Sequence, residues 1–562
     1  MKKIFHILDY KHRLKFLFLI SLMVVASLLE MLGISIIIPT LMSLSDENFF
    51  EKYSFLAPIN SYLGFPSNEK LVLISALFLG FVYLLKNVYM LLFYWIESRF
   101  LSSVIEKVSQ NLLKTYLNQP FKFHLETNSS ILVTRFRSDL PSFRSSLIAF
   151  STIFTEGFIL LGITIFLAIF NTGVFFIVFS FVFLISLIFY LFFKKTFKKL
   201  GFERQVNETN RSKSIQESFG AIKEIKISNI EGMFVNSYNI LSNKLMKNFA
   251  SINFLQYLPR IFFELIAVAI LIGIIFFSTY DANLSSSILP VVGVFVGAAF
   301  KFLPAANRII SSFNRIKYSM RSIDLLKKDL DLKKEIKDLN QITDFAKINL
   351  KNVNFDYAKK EIIKDCNLTI NKGDKVFVYG DTGSGKSTLI DLLLGLKEIS
   401  KGEIYFDETD FSNKNFSLSK IVGYVPQSVF LFDNSIKNNI TLFDLNHDNR
   451  KLNYCLNIAK LSKFINNLDE KLETFVGQNG IKISGGQKQR LGIAREIYKD
   501  PKIFIFDEAT NALDEETEDD LIKNFLKIIE KKTFIMISHN LKLSRYFNKK
   551  LKLVDGKLNE SK

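Results

Sequence analysis

The residues best suited to chemistry form a glycine-rich segment of nine positions in the second half of the chain. In order they are Gly380, Asp381, Thr382, Gly383, Ser384, Gly385, Lys386, Ser387 and Thr388. Three glycines would let successive backbone N–H groups face the phosphates of a nucleotide. The lysine would reach the β- and γ-phosphates, and Ser387 would bind Mg²⁺. The segment predicts a site for ATP and Mg²⁺, and the alternative is a flexible glycine turn.

Two adjacent carboxylates follow an apolar run farther along the chain. Asp507 and Glu508 come directly after residues 502–506, which have the pattern of a buried strand. Asp507 would organise Mg²⁺ through water, and Glu508 would act as the general base that polarises the attacking water. The alternative is an acidic strand end without a catalytic role, which the spacing from the glycine segment disfavours.

Three more polar or aromatic positions would complete a nucleotide site. Gln427 ends a strand pattern, where its amide would contact Mg²⁺ and the attacking water, and His539 ends another, where it would contact the γ-phosphate. Tyr357 lies ahead of the glycine segment, at a suitable place to stack on adenine. Tyr357 or His539 taken alone is more commonly structural, so these two predictions depend on the other motifs.

A second glycine-containing motif opens a predicted helix. Its residues are Ser484, Gly485, Gly486 and Gln487. Their backbone N–H groups and the positive end of the helix dipole suit a γ-phosphate.

The elements that must position these residues alternate between strand and helix over residues 345–562. Residues 375–379 predict a buried strand immediately before the glycine segment, and residues 389–394 predict the helix after it. The alternation predicts an α/β domain with a mostly parallel sheet covered by helices. The only two cysteines, Cys366 and Cys455, fall in this part and are expected to be reduced thiols in the cytosol.

The first half of the chain has the composition of a membrane domain. The 562 residues are 49% hydrophobic and include 58 phenylalanines, with the apolar residues concentrated before position 310. Each predicted span is long enough to cross about 30 Å of hydrocarbon. The six spans lie near 16–42, 71–98, 145–170, 173–194, 255–279 and 284–304. They predict an all-α transmembrane domain over residues 1–320, followed by a linker over 321–344.

Charge predicts the orientation of these spans. Of the net charge of +18, residues 1–340 carry +14, mainly in the connections that the positive-inside rule places in the cytoplasm. Both termini and the α/β domain are then cytoplasmic. The basic residues flank apolar spans, which favours anionic lipid or an anionic substrate as the partner and argues against nucleic acid. The two long cytoplasmic connections are predicted to be helical extensions with tips near 121–128 and 221–228, although two independent loops are the alternative.

Four cations fall within or close to the predicted spans. Lys86, Arg260, Lys301 and Arg308 are each costly in hydrocarbon unless they face water, a partner or a lumen. We expect them to contact an anionic substrate from the cytoplasmic side. The alternatives are that Arg260 pairs with Glu264 four residues later and that Arg308 extends to the inner boundary.

Taken together, these motifs resemble those of ATP-binding cassette exporter half-transporters of the type IV fold, over nearly the whole chain. On that resemblance Tyr357 corresponds to the A-loop, residues 380–388 to Walker A, Gln427 to the Q-loop and residues 484–487 to the signature. Asp507 and Glu508 correspond to Walker B, residues 511–514 to the D-loop and His539 to the switch histidine. The chain departs from the usual pattern at Ile483, Asn511 and Asn540, none of which removes a catalytic group.

The resemblance also implies partners and a cargo. One cassette with six spans is half of the family's functional unit, so a second copy is implied, with two ATP molecules held between the copies. The membrane half more loosely resembles bacterial flippases of lipid-linked oligosaccharides, in the segments 258–264 and 304–309 and at Lys301. That likeness implies an amphipathic anionic cargo moved across a bacterial inner membrane. A lipid A-like lipid, a drug or a peptide is the alternative cargo, and a non-hydrolysing regulatory protein is the alternative class.

Overall fold

The chain folds into two compact units in a computed structural model that describes residues 2–45, 68–170, 172–280, 285–332, 340–357, 360–411 and 416–561. The helical unit comprises Met1–Gln119 and His124–Lys334. The α/β unit comprises Glu335–Lys562 together with the short segment Pro120–Phe123.

The helical unit is built on six described helices of 31 to 50 residues. These are α2 (Tyr10–Ser45), α3 (Asn68–Leu117), α6 (Leu140–Phe170), α7 (Thr172–Gly220), α9 (Glu231–Tyr280) and α10 (Ser285–Leu330). The first five predicted spans each lie within one long helix, and the described part of the sixth lies within α10. Among the described residues, three stretches are long and apolar enough to cross a membrane, namely Tyr10–Glu30, Ala76–Leu117 and Ser129–Ile165.

Short helices precede the first long helix or lie between the long ones. They are α1 (Lys2–Ile7), α4 (Phe121–Glu126), α5 (Ser129–Thr134) and α8 (Ile222–Ser228), and the π-helical turn Arg135–Asp139 joins α5 to α6. The predicted tips near 121–128 and 221–228 coincide with α4 and α8. Both connections are therefore helical, as expected, although their contact with a cytoplasmic domain stays a prediction.

Helices α7 and α10 cross at a glycine. A Cβ atom on Gly201 would lie only 2.0 Å from the backbone oxygen of Tyr318, so no larger residue fits without moving one helix. Helix α10 continues to Leu330, and its residues Ile323 and Leu326 are fully buried. Most of the described part of the predicted 321–344 linker is therefore the packed end of this helix, because a charged and periodic sequence still presents one apolar face.

Three sheets organise the described residues of the α/β unit. Its strands are β1 (Asn340–Gln341), β2 (Lys347–Tyr357), β3 (Lys360–Asn371), β4 (Lys375–Tyr379), β5 (Lys401–Phe406), β6 (Thr409–Asp410), β7 (Phe416–Ser417), β8 (Val422–Val425), β9 (Ile503–Asp507), β10 (Thr533–Ile537), β11 (Lys549–Val554) and β12 (Lys557–Ser561). The central sheet has the order β12-β11-β4-β10-β9-β8, and all its pairs are parallel except β11 with β12. The predicted parallel sheet is confirmed, whereas the antiparallel sheet β3-β2-β5-β6 was not predicted.

Helices cover the central sheet on both faces. They are α11 (Lys386–Leu393), α12 (Ile436–Thr441), α13 (Asn449–Ile458), α14 (Ser462–Asn466), α15 (Gly485–Lys499) and α16 (Glu515–Ile528), with 3₁₀ turns at Lys471–Glu473, Gln478–Gly480 and Leu541–Tyr546.

Side-chain alternation along β9 decides which way its carboxylate points. Phe504 and Phe506 pack with Phe525 of α16 on one face of the sheet, in ring pairs with centroids about 5.0 Å apart. Ile503 and Ile505 belong to the apolar cluster on the opposite face, which includes the residues of α11. Because successive strand residues point to opposite faces, Asp507 projects on the same side as α11.

Candidate nucleotide site

The glycine-rich segment turns between β4 and α11. Gly385, the residue before α11, has φ of 107°, in the left-handed region that favours glycine. At Gly380 a Cβ atom would lie 2.2 Å from the backbone oxygen of Leu553, so no side chain fits. These two positions require glycine for backbone reasons, which supports the sequence prediction of a tight phosphate-binding turn rather than a flexible one.

Lys386 begins α11 and folds back over the same turn. Its Nζ donates hydrogen bonds to the backbone oxygens of Gly380 at 2.8 Å and Asp381 at 3.1 Å, and its side chain is buried. Neither acceptor carries a formal charge. The ammonium group therefore keeps its positive charge within the turn, where a phosphate would be attracted to it.

Ser387 and Asp507 come together from two different elements. The Ser387 hydroxyl donates to Oδ1 of Asp507 at 3.3 Å, and the Tyr424 hydroxyl donates to Oδ2 at 3.4 Å. Burial raises the pKa of Asp507, even though the Ser387 hydrogen bond acts in the opposite direction. A nearby divalent cation would lower the electrostatic cost of the ionised carboxylate.

The residues present fit Mg²⁺ held together with a nucleotide. Mg²⁺ is commonly bound by one or two carboxylates plus substrate phosphates rather than by a complete protein cage. The pair Ser387 and Asp507 offers one hydroxyl and one carboxylate, and the described residues contain no group of three or more histidine, cysteine or acidic side chains placed to hold a metal ion. Phosphate oxygens and water would therefore supply the other ligands.

Glu508 accepts hydrogen bonds from three sides. Its Oε2 accepts from Nε2 of Gln427 at 2.8 Å and from Nδ2 of Asn511 at 2.9 Å, and its Oε1 lies 2.8 Å from Nε2 of His539. The backbone of Glu508 has φ of 51°, a left-handed conformation that is uncommon for a non-glycine residue. Such strain is concentrated at functional sites, where surrounding contacts maintain it.

The signature residues are ordered by a helix cap. Ser484 caps α15 by accepting from the backbone N–H of Gln487, whose side-chain Oε1 accepts from the N–H of Ser484 at 2.9 Å. Gly486 packs so closely on the following loop that a Cβ atom would lie 2.9 Å from the backbone oxygen of Ala512. Within the described part of the chain, no hydrogen bond joins Ser484, Gly485, Gly486 or Gln487 to the glycine-rich turn.

Tyr357 is the last residue of β2 and is 45% exposed. The ammonium of Lys397 lies 4.8 Å from the centre of its ring and also forms an ion pair of 2.7 Å with Asp391. An exposed aromatic face at the end of a strand is compatible with adenine stacking, so the A-loop role stays a prediction. The sequence analysis did not single out Lys397, because its distance along the chain from Tyr357 gave no signal.

Two further polar residues were also missed. Tyr424 lies on β8, which pairs in parallel with β9, so its contact with Asp507 depends on a register that only the structure gives. Asn540 donates to Oε2 of the buried Glu518 at 2.7 Å, and Thr510 donates to Oε1 of the same carboxylate at 2.6 Å. Asn540 thus connects the segment after His539 to α16, whereas the sequence showed it only as a departure from the usual pattern.

Three of the four proposed substrate cations of the helical unit are paired with carboxylates. Lys86 lies 2.6 Å from Glu30, and Arg260 lies 2.9 Å from Glu264, the alternative that the spacing had suggested. Arg308 pairs with Glu156 of α6 through two hydrogen bonds, of 2.5 Å and 2.9 Å. The side chain of Lys301 lies outside the described residues. An anion would therefore meet neutralised pairs at the other three positions, and direct substrate contact stays a prediction.

Known families and proteins match both units. The ABC transporter transmembrane region matches residues 14–298, and the ABC transporter family matches residues 363–511. The fold resembles a solved structure described as a bacterial Atm1-family ABC exporter with ATP bound, with a TM-score of 0.80 and 19% sequence identity, over 98% of this chain and 95% of the other.

Similar curated proteins come from several organisms. The mitochondrial iron-sulfur clusters transporter atm1 of Aspergillus fumigatus is 36% identical over 39% of this chain and 31% of its own length. The mitochondrial ATP-dependent permease MDL1 of Saccharomyces cerevisiae is 39% identical over 34% of this chain and 29% of its own length. The ABC transporter ATP-binding protein YwjA of Bacillus subtilis is 39% identical over 35% and 34%. The matched segment thus spans about a third of each of these relatives. With its transmembrane-region match covering half of its length, the chain belongs to the ABC transporters.

Proposed function

We propose that this protein is an ATP-driven exporter that works as a homodimer and moves an amphipathic anionic cargo out of the cytoplasm. The observation that carries the ATPase part is the Glu508 carboxylate, which lies between Gln427 and His539 and directly follows Asp507. A general base must lie within hydrogen-bond reach of the water that it activates, and a carboxylate at this position satisfies that requirement once ATP is bound.

Each side chain would have a separate task in hydrolysis. Bound Mg²⁺ would neutralise charge on the phosphates, and Ser387 with Asp507 would hold it. Lys386 would exchange its two carbonyl partners for phosphate oxygens, and the backbone N–H groups of the turn would orient the γ-phosphate. Glu508 would accept a proton from the attacking water, and Gln427 and His539 would hold that carboxylate in place.

The signature motif supports the homodimer. The capped N-terminus of α15 is suited to a phosphate, yet no described hydrogen bond connects Ser484 or Gln487 to the turn of the same chain. In the arrangement that we propose, the signature of one copy faces the glycine-rich turn of the other. ATP would then favour the closed dimer, because the nucleotide contacts both copies only in that state.

The cargo is the least constrained part of the proposal. A lipid-linked oligosaccharide is the cargo that the likeness in the membrane half favours, in a bacterial inner membrane with the α/β unit in the cytoplasm. The names of the three relatives do not support this cargo, and one of them is named for iron-sulfur clusters. Since the match spans only about a third of that protein, we keep an anionic amphiphile as the proposed class, with a lipid A-like lipid, a drug or a peptide as the alternative.

Reconstituted vesicles would test the whole proposal. The purified full chain is placed in liposomes that contain a fluorescent pyrophosphate-linked lipid or a zwitterionic lipid of the same chain length, and the accessibility of each label to an external quencher is followed. We expect ATP with Mg²⁺ to redistribute the anionic lipid, with no redistribution by the Glu508→Gln variant. Equal movement of both lipids would contradict the anionic cargo, and movement without ATP would contradict the energy source.

A further inference from the structure

An apolar cavity lies between three helices of the helical unit. It has a volume of about 330 Å³ and is bounded by α6, α7 and α10. Leu160 of α6, Phe183 and Leu187 of α7, and Phe302 and Ile310 of α10 form most of its wall. The volume lies at the lower end of the range for small-ligand pockets, and the wall suits a flexible hydrocarbon chain.

The cavity has a cationic mouth at one end. Tyr190 lines the cavity, and its ring lies 5.5 Å from Nζ of Lys194 on α7 and 5.9 Å from Nζ of Lys317 on α10. Neither lysine forms an ion pair with a carboxylate among the described residues. This separates them from Arg308, whose charge is neutralised by Glu156. Two cations therefore flank one aromatic ring at the opening of a hydrocarbon-lined space.

A buried polar side chain also lines this end. Asn314 of α10 is only 2% exposed and borders the cavity, one turn before Lys317. No hydrogen bond among the described residues involves its side-chain amide. A ligand with a polar group at this depth would gain a hydrogen bond from that amide by occupying the cavity.

The direction of the helices places the mouth at the cytoplasmic side. Helix α7 runs from Thr172 towards the basic segment that starts at Lys194, and the positive-inside rule predicts that this end is cytoplasmic. Leu160 and Phe183 then lie deeper in the hydrocarbon, and Lys194 lies at the level of the inner-leaflet headgroups. The order of apolar wall, amide and cations thus follows the order of groups along an anionic lipid.

We propose that this cavity binds one hydrocarbon chain of an anionic lipid from the inner leaflet, with its phosphate between Lys194 and Lys317 and its ester region near Asn314. The site consists of residues other than the four cations expected to contact the substrate. Binding needs no nucleotide, so the inference goes beyond the proposed function and does not depend on it. A membrane lipid is favoured over a helix from a second copy, because an apolar helix face would bury Asn314 unpaired and leave both lysines without an anion.

Photo-crosslinking in nanodiscs tests the site. The full chain is reconstituted in phosphatidylcholine nanodiscs that carry a trace of a diazirine-labelled lipid, either phosphatidylglycerol or phosphatidylcholine, without nucleotide. Crosslinked peptides are identified by mass spectrometry. We expect the anionic probe to label the peptides around Phe183 and Ile310 about 30-fold more than the zwitterionic probe, since each lysine near the membrane surface contributes about 1 kcal/mol.

Two kinds of variant distinguish binding of the lipid headgroup from binding of the lipid's hydrocarbon chain. Lys194→Gln combined with Lys317→Gln should make the two probes label equally, whereas Lys195→Gln combined with Lys198→Gln, which changes exposed lysines of the same helix, should keep the preference. Ala306→Trp should fill the cavity and abolish labelling by both probes. Leu187→Trp, at a more exposed wall position, provides the same test if the first variant does not fold.

Three results of the lipid labelling would overturn the proposal. They are equal labelling of wild-type protein by the two probes, a headgroup preference that survives loss of both Lys194 and Lys317, and labelling unchanged in a folded tryptophan variant. Crosslinks from the cavity to a second copy, without lipid labelling, would also overturn it by showing that protein occupies the space.

Discussion

Charged side chains have oppositely charged partners in the helical unit but hydroxyl, amide and imidazole neighbours at the end of β9 in the α/β unit. In the helical unit Lys86 is paired with Glu30, and Arg135 contacts Asp139 at 2.9 Å and Asp329 at 2.6 Å. In the α/β unit the carboxylates at the end of β9 have hydroxyl, amide and imidazole neighbours, but no lysine or arginine partner among the described residues.

The difference follows from what each region must accommodate. Lys86 lies in a predicted membrane span, where no water solvates its charge, so a carboxylate on a neighbouring helix lowers the cost. A carboxylate that binds Mg²⁺ and activates water must keep its oxygens available, and it therefore bears an electrostatic cost when nothing is bound. Loss of one partner should therefore destabilise a paired group, whereas the unpaired carboxylates are the ones proposed to take part in the chemistry.

The largest effect should come from the unpaired base. Glu508→Gln keeps the size of the side chain but replaces one of its oxygens with an NH2 group and removes the carboxylate that accepts a proton, so we expect the rate of ATP hydrolysis to fall by about 100- to 10,000-fold. Phosphate release by the purified full chain measures it. Glu516→Gln, at an exposed position at the start of α16, is the matched control and should keep the wild-type rate. Wild-type turnover in Glu508→Gln would remove the assigned base.

The second effect concerns a paired charge. Glu30→Leu leaves the Lys86 ammonium buried without its carboxylate, which should cost about 3–5 kcal/mol of stability. Adding Lys86→Met removes the orphaned charge and should restore most of the loss. Thermal unfolding of both variants in the same detergent gives the comparison. If the double variant is no more stable than Glu30→Leu, the ion pair does not account for the loss.

At the end of β9, removal of a charge should stabilise the folded protein instead of destabilising it. Because burial raises the pKa of Asp507 above its value in the unfolded chain, the ionised form destabilises the folded state, and this cost disappears as the pH falls through the raised pKa. Asp507→Asn should therefore raise the melting temperature by a few degrees at neutral pH, where about 1 kcal/mol corresponds to about 2–4 °C.

Acid pH and Mg²⁺-ATP provide the controls for that variant. The stabilisation by Asp507→Asn should shrink at acid pH, and further stabilisation by Mg²⁺ with ATP should be lost, since the ligand oxygen is gone. If Asp507→Asn lowers the melting temperature at neutral pH, the neighbours of the ionised carboxylate stabilise it. The proposed difference between the charges of the two units would then be wrong.

The smallest expected effect concerns the reaction of the two cysteines with an alkylating reagent. Cys366 and Cys455 are buried free thiols, and burial raises the pKa of Cys366 to about 12 and that of Cys455 to about 11. Only the thiolate reacts, so iodoacetamide at pH 8 should leave both cysteines unmodified in the folded protein and modify both after denaturation. Mass spectrometry of the intact chain counts the adducts. Rapid modification before unfolding would show that the α/β unit opens locally.

The sequence predicted the strands and helices around the nucleotide motifs well because that structure is local. Lys386 and Ser387 follow a strand and begin a helix, and Asp507 ends another strand, so each motif carries its own structural context. The contact of Tyr424 with Asp507 was missed because it depends on how β8 registers against β9. Asn540 was identified as a departure, but its bond to Glu518 on α16 could not be inferred from spacing.

The membrane half was predicted less completely, for a related reason. Apolar length predicts a long helix, but it does not specify which helices are neighbours. Glu156 and Arg308 are 152 positions apart and meet only because α6 packs against α10. The pair Arg260 and Glu264, four residues apart on one helix, was the one that spacing could suggest. The end of α10 was predicted as a linker because its many charged residues made the apolar face that includes Ile323 difficult to recognise in the sequence.

In the proposed function, two copies of this chain close around ATP molecules that both copies hold. The most direct test is native mass spectrometry of the Glu508→Gln variant with Mg²⁺ and ATP, which reads the number of chains and of bound nucleotides in one measurement. We predict a complex of two chains with two ATP molecules. A single chain that binds ATP and stays monomeric at all nucleotide concentrations would contradict the account.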